Sequence, residues 1–394
     1  MKTRRWVIAG ASTAILAGLG YRAGDRGVFS SGQGPAYTPW GQWPAAPAEG
    51  LKGALRAAIL AANAHDTQPW QFSIRDDIVE VYADRSRNLG AFDPFRREMH
   101  LSVGAAIANL LVAASVNGFT VNRYEPAAGG LSLSPPDAPL LATRIGFART
   151  GQTTPRLQLL AQSIPARHTN RGAYEPARAI PRAALDAVAA PAEQKNVTIA
   201  FVTDPGAREE LGALIVEATQ RIIDDSAMSA DSARWFRTGA DEIAAHRDGI
   251  TVDTSGVSPF TRIAAKMLPD LGASSADREW LTLTRDVHVA TAPVFGILMV
   301  KDRLDMPTAL STGQVWQIMH LAATSIKLAA QPLNQPVECV DRNTMLGHAD
   351  NFGPALVKLA KVPGWEPTFV FRLGIPAEGA LPSPRRPLED VLRA

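Results

Sequence analysis

Two apolar helical runs with the same internal spacing constrain this chain more than any other feature. One starts at Gly104-Ala105-Ala106, reaches Ala113-Ala114-Ser115 and then Phe119. The other starts at Gly313-Gln314-Val315, reaches Ala322-Ala323-Thr324 and then Leu328. The intervals from glycine to the alanine pair with its hydroxyl residue, and on to the large apolar residue, are the same, and both runs are periodic as helices. Such a repeat implies a duplicated unit. Equivalent helices lying back to back would make the core of a pseudo-dimer inside one chain. A length of 394 residues is enough for two units, and 46% apolar residues can fill their cores.

The flanking segments fit the same picture. A helix at about 51–62 leads into a hairpin, 71–74 and 78–82, turning at Asp76-Asp77. A helix near 182–190 leads to a strand at 197–202, and further strands are expected at 294–300 and 369–373. Helices alternating with few, scattered strands favour an α+β layered fold over a doubly wound sheet. No glycine-rich strand-turn-helix fingerprint points to a dinucleotide fold. The chain is therefore read as a first half at 51–160 and a second half at 161–394. Residues 225–290 have no counterpart in the first half. They are expected to form a mostly helical insertion, either a lid over a site or a surface excursion with no role.

The N-terminus reads as an address label. Lys2, Arg4 and Arg5 precede an apolar run at 6–19 that is short for a membrane span and suits a signal h-region. Thr3-Arg4-Arg5-Trp6-Val7-Ile8 resembles a twin-arginine export motif, the alternative being a general-secretion signal with adjacent arginines. Residues 1–24 are thus expected to be a signal segment, making the protein exported: periplasmic, or membrane-tethered if the segment is not cleaved. Residues 25–50, rich in Gly, Pro, Ser and Trp, are expected to be a linker or extended arm.

Composition removes several function classes. With 40 basic against 38 acidic residues the net charge is +2, which gives no nucleic-acid or polybasic-membrane signal. Cys339 is the only cysteine, so no intrachain disulfide can form, and its surroundings suit a structural thiol. The seven histidines show no metal-ligand spacing, and His100 and His320 adjoin apolar helix residues as core or interface groups. No Gly-x-Ser-x-Gly elbow supports a hydrolase.

Three segments carry chemistry. Asn63-Ala64-His65-Asp66-Thr67-Gln68-Pro69-Trp70, between a helix and a strand, offers amide, carboxylate and hydroxyl groups beside an aromatic wall, as a planar heterocycle requires. Arg167-His168-Thr169-Asn170-Arg171 gathers two guanidiniums, an imidazole and a hydroxyl within five residues, which suits an anion such as a phosphate. Ser383-Pro384-Arg385-Arg386-Pro387 is a basic turn after the last strand.

Taken in this order, these segments resemble the nitroreductase-like flavoprotein family over nearly all of 51–394. Ala62 to Trp70 is similar to that family's Asn-x-Gln-Pro-Trp loop, and Arg167-His168-Thr169-Asn170-Arg171 to its phosphate-binding segment. Phe371-Arg372-Leu373-Gly374 through Arg386 resembles its closing strand and basic turn. Gln331-Pro332-Leu333-Asn334 falls where the family has a loop against the flavin ring. The resemblance implies a nitroreductase-like α+β fold with FMN as cofactor. Arg167, His168, Thr169, Arg171, Arg385 and Arg386 would hold the phosphate, and Asn63, Asp66, Gln68, Gln331, Pro332, Leu333 and Asn334 would contact the ring.

That family usually forms homodimers in which one subunit gives the phosphate segment and the other the Gln-Pro-Trp loop. Here the first half has the loop but no basic cluster ahead of its helix, and the second half has the cluster but no such loop. The resemblance therefore implies a single FMN in a fused, monomeric pseudo-dimer, like the subgroup of mycobacterial stress-induced, Acg-like members. Asp66 departs from the family's asparagine, and an ionised carboxylate accepts but cannot donate a hydrogen bond. The implied activity is flavin-dependent reduction of nitroaromatic or quinone-like acceptors by a small-molecule donor, with no residue singled out as catalytic. Because nicotinamide donors are cytoplasmic, export makes NAD(P)H an open question. It leaves a second expectation, an exported flavin-binding or flavin-sequestering protein with little turnover.

Overall fold

A computed structural model describes residues 22–43, 49–133, 136–190, 196–268 and 272–393. Arg4, Arg5 and the apolar run at 6–19, on which the signal reading rests, lie outside them. The first half contributes β1 (Trp70–Arg75), β2 (Ile78–Ala83), β3 (Phe119–Pro126) and β4 (Leu140–Arg149). The second half contributes β5 (Val197–Val202) and then an inserted stretch with the two-residue strands β6 (Phe236–Arg237) and β7 (Ile250–Thr251). It continues with β8 (Val294–Val300), β9 (Ala329–Pro332) and β10 (Glu366–Gly374).

The two sheets have one topology. The first is ordered β1-β2-β4-β3 and the second β5-β8-β10-β9, with every neighbouring pair antiparallel. In each half a 20-residue helix joins the second strand to the third, Arg97–Val116 in one and Met306–Ser325 in the other. The fold class is α+β, as expected. The sheets are richer than the few scattered strands read from sequence, because β3 is exposed along most of its length without an apolar alternation and β9 is only four residues long. The opening helix Leu51–Ala58 also ends sooner than expected.

The two long helices cross where the repeat begins. A methyl group on Gly104 would run into the carbonyl oxygen of Leu310, and one on Gly313 would run into that of Leu101. The contact is reciprocal at the same spacing of three residues, as a two-fold interface between equivalent units requires. Glycine is needed at both places because only a missing side chain lets the backbones approach this closely. Beside the crossing, Gln317 Nε2 donates to Asn109 Oδ1 at 2.8 Å and Asn109 Nδ2 donates to Ala57 O at 2.8 Å. Gln317 Oε1 then accepts from Ala62 N at 3.0 Å, which carries this buried polar chain to the loop before β1. The helix Arg97–Val116 is long and apolar enough to cross a membrane, but 83% of its most apolar stretch is buried inside the protein.

The second half sends its last segment onto the first, and its opening segment, just after the first half ends, runs directly onto the second sheet. After β10 the chain returns to β1, where Phe72 N donates to Val391 O at 2.8 Å and Arg393 N to Phe72 O at 2.7 Å. The stretch leaving β4 reaches the second sheet, where Asn170 N donates to Ala330 O and Tyr174 bridges to Pro376. The segment expected as a linker or extended arm is folded against the body at 35–43. Tyr37, Trp40 and Trp43 are buried there, since aromatic rings of this size gain more from burial than a solvated linker can offer.

Candidate functional site

The loop before β1 is held in an uncommon shape. His65, Asp66 and Gln68 all have positive φ, at 49°, 54° and 50°. For residues with a Cβ each such conformation costs on the order of 1 kcal/mol or more, so the surroundings must impose it. Asn63 does part of this work: its Oδ1 accepts from Gln68 N at 2.7 Å, and its Nδ2 donates to Asp66 Oδ1 at 3.2 Å. Ser102 of the long first-half helix accepts from Ala64 N at 3.0 Å, and Gly249 N of the insertion donates to Asp66 O at 3.1 Å. The outcome is a buried carboxyl, Asp66, presented to a cleft between the halves.

Cations close the opposite side. Arg167 is buried at the start of the basic cluster, donating to Leu60 O at 3.0 Å and to His320 Nδ1 at 3.4 Å. Arg385, on the C-terminal turn, pairs with Asp66 and also donates to Ser383 Oγ at 2.6 Å, Pro384 O at 2.7 Å and Ala61 O at 3.1 Å. Arg171 donates to Thr254 O of the insertion at 3.0 Å. Trp40 stands beside them, its ring 5.9 Å from the Arg167 guanidinium and 4.9 Å from that of Arg385, and meets His168 edge-on at 4.5 Å. The cleft encloses about 410 Å³ counting its open mouth, with Gly249, Ile250 and Thr254 of the insertion on its wall.

Three arginines, two of them buried and Arg171 half-buried, thus face one carboxylate among the described lining residues. Burial lowers Arg167 to about 9, and the like charge of Arg385 adds to the effect. Burial likewise takes His168 down to about 3, with Arg167 and Arg385 acting in the same direction, so its ring is neutral. Burial raises Asp66 to about 7, opposed by the Arg385 guanidinium and the Asn63 amide. The Nε groups of Arg167 and Arg385 and Nδ1 of His168 are buried without a hydrogen-bond partner. Unpaired donors beside excess positive charge are costly in a protein interior, and an anion entering the cleft would satisfy them. The donor set suits a phosphate group.

The structure brings together Asn63, Asp66, Arg167, His168, Thr169, Arg171 and Arg385 around this cleft. The other sequence candidates lie elsewhere. Gln68 is fully buried as a tie: Nε2 donates to Arg247 O at 2.8 Å and Oε1 accepts from Arg386 N at 2.8 Å, joining loop, insertion and C-terminal turn. Arg386 turns away, its Nη2 donating to Asp390 O. Gln331, Pro332, Leu333 and Asn334 do not line the cleft. Gln331 and Pro332 pair in the ladder with Arg372 and Phe371, and Gln331 Oε1 accepts from Arg372 Nε at 2.7 Å. Leu333 is in the core, and Asn334 pairs with Glu98 while accepting from Val370 N at 3.0 Å. Gln331 Oε1 and both ends of the Asn334 amide are thus engaged within the protein.

Sequence reasoning missed Trp40 and the Asn109–Gln317 pair, named Ser383 within the basic turn without giving it a role, and left open whether the insertion that supplies Gly249 to Thr254 reaches a site. The signal for Trp40 was present, because Tyr37, Trp40 and Trp43 are a dense aromatic run for a linker. Asn109 is the single amide of its apolar helix and Gln317 one of two in the other, a pattern that marks a buried polar contact but not its partner.

No protein-family model matches the chain. Among characterised sequences it is similar to a Mycobacterium tuberculosis protein named "Putative NAD(P)H nitroreductase Rv3131", with 27% identity over 88% of this chain and 91% of that one. It is also similar to "Putative NAD(P)H nitroreductase acg" of the same organism, with 31% identity over 31% of this chain and 34% of that one. Among solved structures it aligns with the FMN-dependent nitroreductase NfnB from Mycobacterium smegmatis in complex with NADPH. That alignment has 17% identity and a TM-score of 0.37, and covers 60% of this chain and 98% of that one.

Proposed function

We propose that this protein binds one flavin mononucleotide in the cleft between its halves and acts as a nitroreductase-type oxidoreductase. The observation that carries the reading is the cluster of Arg167, Arg171 and Arg385 at one cleft, with buried unpaired Nε groups on Arg167 and Arg385, set against Asp66 as the one carboxylate among the described lining residues. Arg167, His168, Thr169, Arg171 and Arg385 would hold the phosphate, and Asn63 and Asp66 would face the ring. The nitroreductase names of the mycobacterial relatives support the same class. When bound, the flavin supplies the electron-transfer chemistry. The chain's own part is orientation and exclusion of water: the strained 63–68 loop fixes Asp66, and Trp40 with the 249–254 wall shields the cations. Small-molecule acceptors of nitroaromatic or quinone type, reduced at the expense of NAD(P)H, are the substrates of this reading, and a single chain forms the whole site.

Export remains part of the proposal, through the twin-arginine-like start of the chain. Walls on three sides of the cleft, from the arm, the insertion and the C-terminal turn, favour a second reading in which the protein retains or sequesters flavin with little turnover. One experiment orders these possibilities. The purified protein should be yellow and release FMN on denaturation, and NADPH should drive reduction of a nitroaromatic. Full flavin occupancy without turnover would select sequestration. A colourless protein that takes up no added FMN would overturn both.

A further inference from the structure

The two most exposed large apolar side chains among the described residues are Phe29 at 83% and Phe260 at 82%. They belong to one surface. Lys266, on the helix Pro259–Met267 that carries Phe260, donates to Gly27 O at 2.9 Å and Ser31 Oγ at 3.1 Å, on either side of Phe29. Ile263, one turn beyond Phe260, is 48% exposed, and Leu268 at the end of the helix is 53% exposed. Single exposed apolar residues are ordinary, but an aromatic and aliphatic cluster of this kind marks a contact surface.

We propose that this face rests on a lipid bilayer. Two observations select lipid as its occupant. The apolar run at 6–19 precedes Arg22, and Arg22 is fastened to the patch itself, Nε donating to Met267 O at 2.7 Å and Nη2 to Leu268 O at 2.9 Å. A chain held in a membrane by that run would therefore bring this surface to the bilayer. Along the chain no acidic residue occurs between Asp253 and Asp270, and Arg22 and Arg262 lie beside the apolar side chains and suit anionic headgroups, with Asp253 3.7 Å from Arg262 and Asp25 near Arg26 as the neighbouring carboxylates. Along the helix Pro259–Met267 the exposed Phe260 and Ile263 sit one turn apart, while Lys266, a turn further on, is drawn into the protein and fixes how the helix lies on the body. Asp253, which pairs with Lys266 at 2.8 Å, adjoins Thr254 of the cleft wall, so a docked bilayer would lie close to the cleft.

The full chain, incorporated into phosphatidylethanolamine–phosphatidylglycerol vesicles, tests this. An environment-sensitive dye is attached to Phe260→Cys and, in a separate sample, to Leu159→Cys, an exposed site on the first half; Cys339 is buried and stays unlabelled. Brominated lipid should quench the dye at 260 severalfold more than at 159. Phe29→Asp combined with Ile263→Asp should abolish the difference while the chain remains on the vesicles. Equal quenching at both sites in vesicle-bound protein would overturn the proposal. So would a concentration-dependent dimer in solution that Phe260→Ser disperses, which would make the face a contact between copies.

Discussion

At the helix crossing the two halves offer each other the same residue, whereas at the cleft each offers what the other lacks. Gly104 and Gly313 meet the carbonyls of Leu310 and Leu101 reciprocally, and neither can change without altering an approach both helices share. At the cleft, the first half brings the strained loop with Asn63 and Asp66, while the second brings Arg167, Arg171 and the Arg385 turn. Packing between like units thus preserves symmetry, and site chemistry abandons it. Fusion into one chain permits this, since each half can specialise without also specialising its partner.

Substitutions can break or sharpen this contrast. Arg385→Met leaves Asp66 buried without its main counter-charge and should lower stability by about 3–5 kcal/mol in urea unfolding. Arg386→Met, one residue along but outside the cleft, should cost about 1 kcal/mol or less. Similar losses at both would mean that the turn matters as a whole and the ion pair does not. Gly104→Ala and Gly313→Ala should each cost roughly 2 kcal/mol, overpacking of about 3 being partly offset by helix propensity of about 1. The informative quantity is their equality. Costs differing by much more than about 0.5 kcal/mol would show that the crossing is not equivalent from its two sides.

A last contrast is in pH dependence, where the two halves should act with opposite sign and largely offset each other. Burial holds folded His168 at about 3 against an ordinary value of 6.5, so it contributes stability that is lost as pH falls below about 6.5. Burial raises folded Asp66 to about 7 from 3.8, so the folded state keeps its proton between those values and gains stability on acidification through the same window. In urea midpoints measured between pH 4 and 7, His168→Gln should therefore make the acid-side loss shallower and Asp66→Asn should make it steeper. Shifts of the same sign would refute the assignment.

The repeat made the duplicated architecture legible, because a glycine at a fixed interval within an apolar helix reports a close backbone approach. Asn63, Asp66, Arg167 and Arg385 were legible for another reason: polar groups concentrated at an element's end have few structural uses. The loop at 331–334 was less legible, since Gln331 Oε1 and Asn334 Oδ1 accept from Arg372 and the β10 backbone, contacts that no local pattern announces. Trp40 was missed because its partners are 127 and 345 residues away, and no local pattern encodes such a contact.

The Asp66–Arg385 pair has a temporal consequence. Its members are 319 residues apart, so a ribosome adding 5–20 residues per second completes Arg385 roughly 15–60 s after Asp66. During that interval the loop exists without the turn that locks it. On the proposed flavin reading, loading would follow only when synthesis is nearly finished. If the protein leaves the cytoplasm, it would have to be folded and loaded before departure, and a route that threads an unfolded chain would deliver it empty.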